Sequence, residues 1–350
     1  MTGMRDGTVI TLGARGRLSM LIARRTLVVL GLMGVASAVL AVVALGIGDY
    51  EIAPHDVIGV MTGQNVSFDR VVVLEWRMPR IVTALLLGAG LGMSGAIFQA
   101  LTGNALGSPD IVGFSFGAYT GALVVIGVIG GGYYMVAGGA FVGGLAVAAV
   151  VYLLSRKDGA VSGFRMIVVG IAVSAVMASF NQWIIMRIDL HRAMAAAVWA
   201  QGTLNGIDWT VAVPVLVCTS VLALLLATLG RSLAMLQLGD DLAMSLGVQV
   251  ERTRGAYFVL GVAMVALAAA AAGPISFVAL AAPQIARRLT GGAGVGLVSS
   301  AVTGAFVLLV SDVIAIAAFS PDEIPVGAVT VCIGGAYLVY LLVSQARRAR

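Results

Sequence analysis

The sequence predicts an all-α protein that spans a membrane, and three observations support this fold class. Of the 350 residues, 60% are hydrophobic and only 11% are charged, whereas about a quarter of the residues are charged in soluble domains. The apolar residues are gathered in long runs, and the basic residues lie in the segments between them. This composition excludes an ordinary soluble enzyme, a disordered chain and a secreted scaffold held by disulfides.

Nine apolar runs are long enough to cross a bilayer, which takes about 20 residues. These runs are Leu27–Ile47, Ile81–Leu101, Ile111–Ile129, Tyr134–Leu154, Met166–Met186, Val211–Leu229, Ala256–Ala272, Leu297–Ala318 and Val326–Val343. A tenth segment, Ile275–Ala286, is shorter, follows Gly273 and Pro274, and is interrupted by Pro283. Such a segment is typical of a half-helix. The sequence therefore predicts ten transmembrane helices, one of them short or broken.

Glycines spaced four residues apart predict that these helices pack closely. The pairs are Gly88/Gly92, Gly117/Gly121, Gly127/Gly131 and Gly139/Gly143. Helices in lipid associate by close approach of their backbones, which small residues allow.

The positive charges predict the orientation. With ten spans and both termini in the cytoplasm, 16 of the 21 lysines and arginines fall in cytoplasmic segments and five fall outside, as the positive-inside rule requires. We expect one transmembrane domain over residues 1–350, with residues 1–25 as a cytoplasmic tail. The first run is predicted to be an uncleaved span, because it is longer than the apolar part of a signal peptide.

The sequence lacks the motifs of several kinds of enzyme and of a bare metal site. Its single lysine, Lys157, follows Arg156, so there is no phosphate-binding loop ending in Gly-Lys-Ser/Thr. It has no His-Glu-x-x-His motif, no cysteine pair at metal-ligand spacing and only two histidines. We predict no enzyme activity, no cofactor and no resident metal. Any ATP hydrolysis must come from another chain, and a transported metal must cross inside a chelator. The net charge of +5 reflects cationic loops and predicts no nucleic-acid partner.

The first of three polar-apolar stretches, Glu75–Ala118, places Arg77 and Arg80 at the predicted outer end of the second span. Pro79 sets the first turn of that helix. The two arginines either anchor the helix end by reaching to the membrane surface or contact an acidic surface on an external partner. The residues alone leave both interpretations open. Gln99 lies inside an apolar run, where its amide needs a hydrogen-bond partner.

The second stretch, Leu233–Gly255, is the longest polar loop on the predicted cytoplasmic side. We interpret it as two short helices joined at Gly247. Such a segment either docks into a groove of a partner protein or lies on the membrane surface. Its mixture of acids and bases favours docking. The candidate docking residues are Leu238, Gly239, Asp240, Asp241, Ala243, Leu246 and Gly247.

The third stretch combines Gly273–Gly291 with Asp312 and the loop that precedes the last span. Asp312 lies within a span, where an acid is either functional or bonded to a neighbouring helix end. Eight residues are candidates for the translocation path or for its structural support: Gln99, Asn104, Pro109, Pro283, Gln284, Asp312, Glu323 and Pro325.

Together the three stretches resemble the FecCD family of importer permeases, from about Gly48 to Val343. The resemblance is carried by the segments EWRMPR, SGAIFQAL, GSPDIVGF, GDDLAMSLGVQVERTR and AGPISFVALAAPQIARRLTG. These segments are most similar to those of permeases for catecholate siderophores such as ferric enterobactin. The resemblance implies the fold of a type II ABC importer permease in a bacterial plasma membrane.

The resemblance also implies the partners. A second FecCD-type permease subunit pairs with this one among the membrane lipids, and two cytoplasmic ATP-binding subunits dock on Leu233–Gly255. An extracytoplasmic siderophore-binding protein docks through Arg77 and delivers the iron–siderophore cargo. A second arginine of the family aligns with Ile316 here, which favours a heterodimer. This sequence departs from two motifs of the family. Asn-Pro-Leu-Ala is replaced by Asn104–Gly107, with the sequence NALG, and Pro-His is replaced by Pro283 and Gln284.

Two other classes of function compete with this interpretation. A secondary transporter driven by protons through Asp312 gains support from the half-helix near Pro283. A lipid-modifying membrane enzyme would need a catalytic cluster that the sequence does not offer.

Overall fold

The computed structural model describes residues 7–12, 18–48, 50–63, 68–110, 112–157, 160–292, 294, 296–318 and 324–348. These residues fold almost entirely into helices, with two small antiparallel hairpins. The helices are α1 (Arg24–Gly46), α2 (Pro54–Met61), α3 (Phe68–Val71), α4 (Met78–Thr102), α5 (Phe114–Val124), α6 (Tyr133–Leu154), α7 (Gly163–Ile185), α8 (Leu190–Trp199), α9 (Trp209–Leu236), α10 (Asp240–Ser245), α11 (Val250–Ala272), α12 (Val278–Thr290), α13 (Leu297–Ala317) and α14 (Val326–Arg348).

The hairpins lie at the ends of apolar helices. Strands β1 (Gly7–Leu12) and β2 (Leu18–Ala23) precede α1, and β3 (Arg156–Lys157) and β4 (Ala160–Val161) connect α6 to α7. Parts of the predicted N-terminal tail, residues 1–6 and 13–17, lie outside the described residues. A π-helical segment, Val72–Arg77, joins α3 to α4, and a second one, Val125–Ile129, extends α5.

Among the described residues, seven helical segments are long and apolar enough to cross a membrane. They are α1, the continuous stretch Phe68–Thr102, α6, α7, Trp209–Gly230 of α9, α11 and α13. Phe114–Ile129 and Val326–Tyr340 are shorter apolar helices, and α12 has 13 residues. Each of the ten predicted runs thus lies on a helix, and the chain is a helical multi-pass membrane protein. That all ten helices cross the membrane stays a prediction.

The core of the bundle forms around α4, which packs against α13, α11, α12 and α9. The predicted close packing of glycines is confirmed at this contact. A Cβ atom on Gly88 would lie 2.5 Å from the carbonyl oxygen of Gly304, and one on Gly92 would collide with the carbonyl of Ser300. By contrast, only 11% of the most apolar stretch of α7 is buried within the chain. The interior therefore surrounds α4, while α7 leaves most of its surface for lipid or another subunit.

The short helix α12 begins within the bundle after a sharp turn. Gly273 has φ 74°, and Phe277, which precedes the first turn, has φ 69°. Phe277 is the only non-glycine residue with a positive φ among those described. The expected interruption at Pro283 is wrong, because α12 runs through that residue and the break lies at Gly273–Phe277 instead.

Pro283 removes one backbone hydrogen bond from α12. It has no N–H, so the carbonyl of Ala279, four residues earlier, lacks its usual helical partner. That carbonyl faces Gly95 of α4, where a methyl group would overlap its oxygen. The carbonyl that loses its usual helical donor therefore faces a residue that has no side chain.

Candidate functional site

At the predicted outer end of the bundle, Arg80 of α4 binds Asp312 of α13. The Nε and Nη2 atoms of Arg80 donate to the two carboxylate oxygens over distances of 2.8 to 3.1 Å. The side chain of Asp312 is 1% exposed and that of Arg80 is 13% exposed. The structure therefore gives Asp312 a charged partner on a neighbouring helix, which is one of the two interpretations that the sequence left open.

Arg77 lies one turn before Arg80 and bonds to the backbone of a different segment. Its Nη1 atom donates to the carbonyl of Leu45 at 2.7 Å, and Nη2 donates to the carbonyl of Tyr50. Gly48 faces the same guanidinium, and a Cβ there would lie 2.6 Å from Nη2. Arg77 thus joins the end of α1 to the start of α4, while its docking role stays a prediction.

A cavity of about 390 Å³ opens beside both arginines. Glu75, Asp208 and Ile316 are among the residues that line it. Ile316, the position where the family resemblance expects an arginine, therefore lies in the same recess as Arg77 and Arg80.

Nearer the predicted cytoplasmic end, Gln99 and Gln284 form a buried amide pair. Gln284 Nε2 donates to Gln99 Oε1 at 2.6 Å and to the carbonyl of Ala105 at 3.0 Å. Gln99 Nε2 donates to the carbonyl of Leu280 at 3.1 Å. The structure confirms that Gln99 needs a polar partner, and the pair links α4, α12 and the loop after α4.

The loop after α4 holds the other candidates of the first stretch. Asn104 is exposed, and its Oδ1 accepts from the backbone N–H of Leu106 at 2.9 Å. Pro109 is buried. In the third stretch, Pro325 precedes α14 and its carbonyl accepts from Ala328 N–H at 3.0 Å, whereas Glu323 lies outside the described residues. These contacts give Asn104 and Pro325 local structural roles.

Asp110 is a residue that the sequence interpretation missed. Its carboxylate oxygen Oδ1 accepts from Ser115 Oγ at 2.6 Å. It therefore lies at the beginning of the short helix α5, where the helix dipole favours a negative charge. The available signal was an acid in a short loop directly before a short apolar run.

The second polar stretch forms one short helix, not two. Helix α10 carries Asp240 and Asp241 in its first turn, and Gly247, with φ 83°, ends the turn that follows it. The chain after Gly247 enters the long helix α11 at Val250 and continues to Ala272. The expected second short helix is therefore wrong, because no helix-breaking residue separates Val250 from the apolar run.

This segment exposes several leucines although its sequence is polar. Ala243 is buried, whereas Leu238, Leu242 and Leu246 are each more than half exposed. Asp241 and the glycines at positions 239 and 247 are also exposed. Leucines displayed beside acids are typical of a surface that a partner covers.

Comparisons with known proteins cover nearly the whole chain. The model of the FecCD transport family matches residues 36–344. The chain is 41% identical to the ferric enterobactin transport system permease protein FepG of Escherichia coli K12, covering 93% of this chain and 99% of that protein. It is 36% identical to the iron(3+)-hydroxamate import system permease protein FhuG of Bacillus subtilis 168, covering 91% and 97%. A solved structure of a metal-chelate type ABC transporter in an inward-facing conformation aligns with a TM-score of 0.78 and 26% identity, covering 91% of this chain and 99% of that one.

Proposed function

Because this chain belongs to the FecCD transport family, we propose that it is the permease of an ATP-driven importer that carries a ferric catecholate siderophore into the cytoplasm. The observation that carries the proposal is the 41% identity to a ferric enterobactin permease over 99% of that relative. The permease itself hydrolyses no ATP. Its residues form the gate, and ATP-binding subunits open it.

The proposed assembly contains a second FecCD-type permease, two ATP-binding subunits and an extracytoplasmic siderophore-binding protein. The relatives are permease proteins of transport or import systems, which supports an assembly of several subunits. The exposed leucines in and beside α10, Leu238, Leu242 and Leu246, support docking of the ATP-binding subunits. In this arrangement ten helices cross a bacterial plasma membrane as a single permease domain, and both termini lie in the cytoplasm.

Reconstituted vesicles provide the test of function. We expect uptake of ferric enterobactin when the vesicles hold this chain, its partner permease and the ATPase, with ATP on the ATPase side and the binding protein on the other. Uptake should stop when ATP is replaced by a non-hydrolysable analogue. A ferric hydroxamate serves as the competing cargo, because a hydroxamate permease is also a relative. Uptake without the ATPase would contradict the mechanism, and preference for the hydroxamate would contradict the proposed cargo.

Docking of the binding protein gives a second prediction. Replacing Arg77 by alanine should weaken the affinity of the binding protein by about tenfold, because a charge pair at an interface contributes on the order of 1–3 kcal/mol. The measurement is binding of the siderophore-loaded protein to the reconstituted complex at two salt concentrations. Salt should weaken the wild-type complex more than the variant.

Arg70 offers a matched control, since it is an exposed arginine on α3, a few residues before Arg77. The Arg70→Ala variant should bind as the wild type does. Equal binding by Arg77→Ala and the wild type would contradict the docking role and leave Arg77 a structural one, such as its bonds to Leu45 and Tyr50.

A further inference from the structure

Arg254, in the second turn of α11, contacts three separate parts of the chain at the predicted cytoplasmic end. Its Nη2 donates to both carboxylate oxygens of Asp240, at 2.9 and 3.2 Å. Its Nη1 donates to Glu251 Oε1 at 3.2 Å and to the carbonyl of Val161 at 3.0 Å. Asp240 begins α10, and Val161 belongs to the hairpin between α6 and α7. One guanidinium therefore bridges α10, α11 and this hairpin.

Glu251 completes the bridge from the same helix. Its Oε2 accepts from the backbone N–H of Val161 at 3.4 Å, so both backbone groups of Val161 are bound from α11. Val161 is 4% exposed, and Gly163 begins α7 two residues later. The hairpin thus attaches α7 to α11 through charged side chains. We call Asp240, Glu251, Arg254 and the backbone of Val161 the Arg254 joint.

Two properties make this joint stronger than an ordinary surface ion pair, whose contribution is about 0–1 kcal/mol. The side chain of Arg254 is only 14% exposed, so water and salt reach the pairs mainly from the side of Asp240 and Glu251, which are 49% and 42% exposed. The planar guanidinium also holds its partners in fixed directions, which a lysine cannot do. A displacement of α10 is therefore transmitted to Val161 instead of being absorbed by loose side chains.

We propose that Arg254 is a positioning residue that makes α10 and the α6–α7 hairpin move as one body, so that motion imposed on α10 is delivered to the cytoplasmic end of α7. The inference rests on the proposed docking of the ATPase at α10. Helix α7 is suited to receive the motion, because it has the smallest buried share of the seven long apolar segments. A helix with few contacts inside its own chain is tilted by a force at one end.

Spin-label distances test the joint directly. One label replaces Ser245 on α10 and the other replaces Arg156 on the hairpin, both exposed positions. In the assembled wild-type transporter, the distance between the labels should stay the same when ATP binds. In Arg254→Ala it should change or broaden on ATP binding, because α10 then moves without the hairpin. An ATP-independent distance in Arg254→Ala would overturn the proposal.

Arg252 provides the matched control on the same helix. It is exposed, and its guanidinium bonds to Gln249, within one turn. The Arg252→Ala variant should keep the label distance of the wild type. If Arg254→Ala does not fold, Asp240→Asn removes only the charge that ties α10 to the joint, and it should produce the same change in distance.

The functional measurement is the amount of siderophore taken up per ATP hydrolysed. Arg254→Ala and Arg254→Lys should still assemble with the ATPase and hydrolyse ATP, while siderophore uptake per ATP hydrolysed falls by about tenfold. Loss of ATPase binding in both variants would instead make Arg254 a residue of the docking surface. If wild-type vesicles show no ATP-driven uptake, the proposed function fails. If the wild type transports and both variants keep its uptake per ATP hydrolysed, only the proposal for the Arg254 joint is contradicted.

Discussion

Replacing Asp312 by alanine is expected to destabilise the folded protein by about 3–5 kcal/mol, which is the usual cost of removing one partner from a buried ion pair. Arg80 would keep its charge in a site where it is 13% exposed and would lose the carboxylate that accepts from Nε and Nη2. The measurement is the free energy of unfolding in detergent micelles, taken from denaturant or thermal curves.

Two further variants show whether the unpaired charge causes the loss. Asp312→Asn keeps an oxygen acceptor for Arg80 and should be less destabilising than Asp312→Ala. The double variant Arg80→Leu with Asp312→Leu removes both charges and should recover most of the stability. If Asp312→Ala alone unfolds as the wild type does, the pair does not hold α4 to α13.

The same variants separate the proposed importer from a transporter driven by protons through Asp312. In a proton-driven transporter, Asp312→Asn abolishes uptake even when the protein is folded, and a proton uncoupler stops the wild type. In the importer, uptake by Asp312→Asn follows the amount of folded protein and requires ATP. The bidentate contact with Arg80 favours the importer, because a carboxylate that carries protons must leave its partner in each cycle.

Replacing Gly92 by alanine should destabilise the bundle by about 3 kcal/mol, although alanine is the better helix former by about 1 kcal/mol. The new methyl group would collide with the carbonyl of Ser300 on α13. That carbonyl is part of a helix backbone and cannot rotate away, so α4 and α13 must separate. Thermal unfolding in detergent and the yield of folded protein report the loss.

Gly138→Ala is the control for this substitution. Gly138 lies in α6, and a Cβ there meets no atom within 4 Å. This variant should be as stable as the wild type or slightly more stable, because the gain in helix propensity meets no steric cost. Equal stability of Gly92→Ala and Gly138→Ala would show that the contact between α4 and α13 does not limit the size of the side chain at position 92.

Features that depend on neighbouring residues could be predicted from the sequence. Runs of apolar residues predicted the helices, glycines four residues apart predicted that helices pack closely, and the amide of Gln99 predicted a polar partner in an apolar setting. Each of these depends on the spacing of neighbours or on the chemistry of a single side chain.

Contacts between distant segments were not predictable in the same way. Arg80 and Asp312 are 232 positions apart. The residues around each of them do not indicate which distant residue it contacts. Asp110 was missed because nothing in the loop sequence shows that its carboxylate bonds to Ser115 in the next helix. The sequence predicted a second short helix after α10, because an amphipathic pattern over a few residues does not show where the following long helix begins.

Gly95 and Pro283 come from opposite halves of the chain, yet both bear on the carbonyl of Ala279. An ordinary residue at position 283 would supply the N–H that this carbonyl lacks within its own helix. Position 95 would still admit no side chain, because a Cβ there also lies within 3.0 Å of the carbonyl carbon and the Cα of Ala279. The close approach of α4 and α12 therefore restricts position 95 to glycine whether or not position 283 is proline.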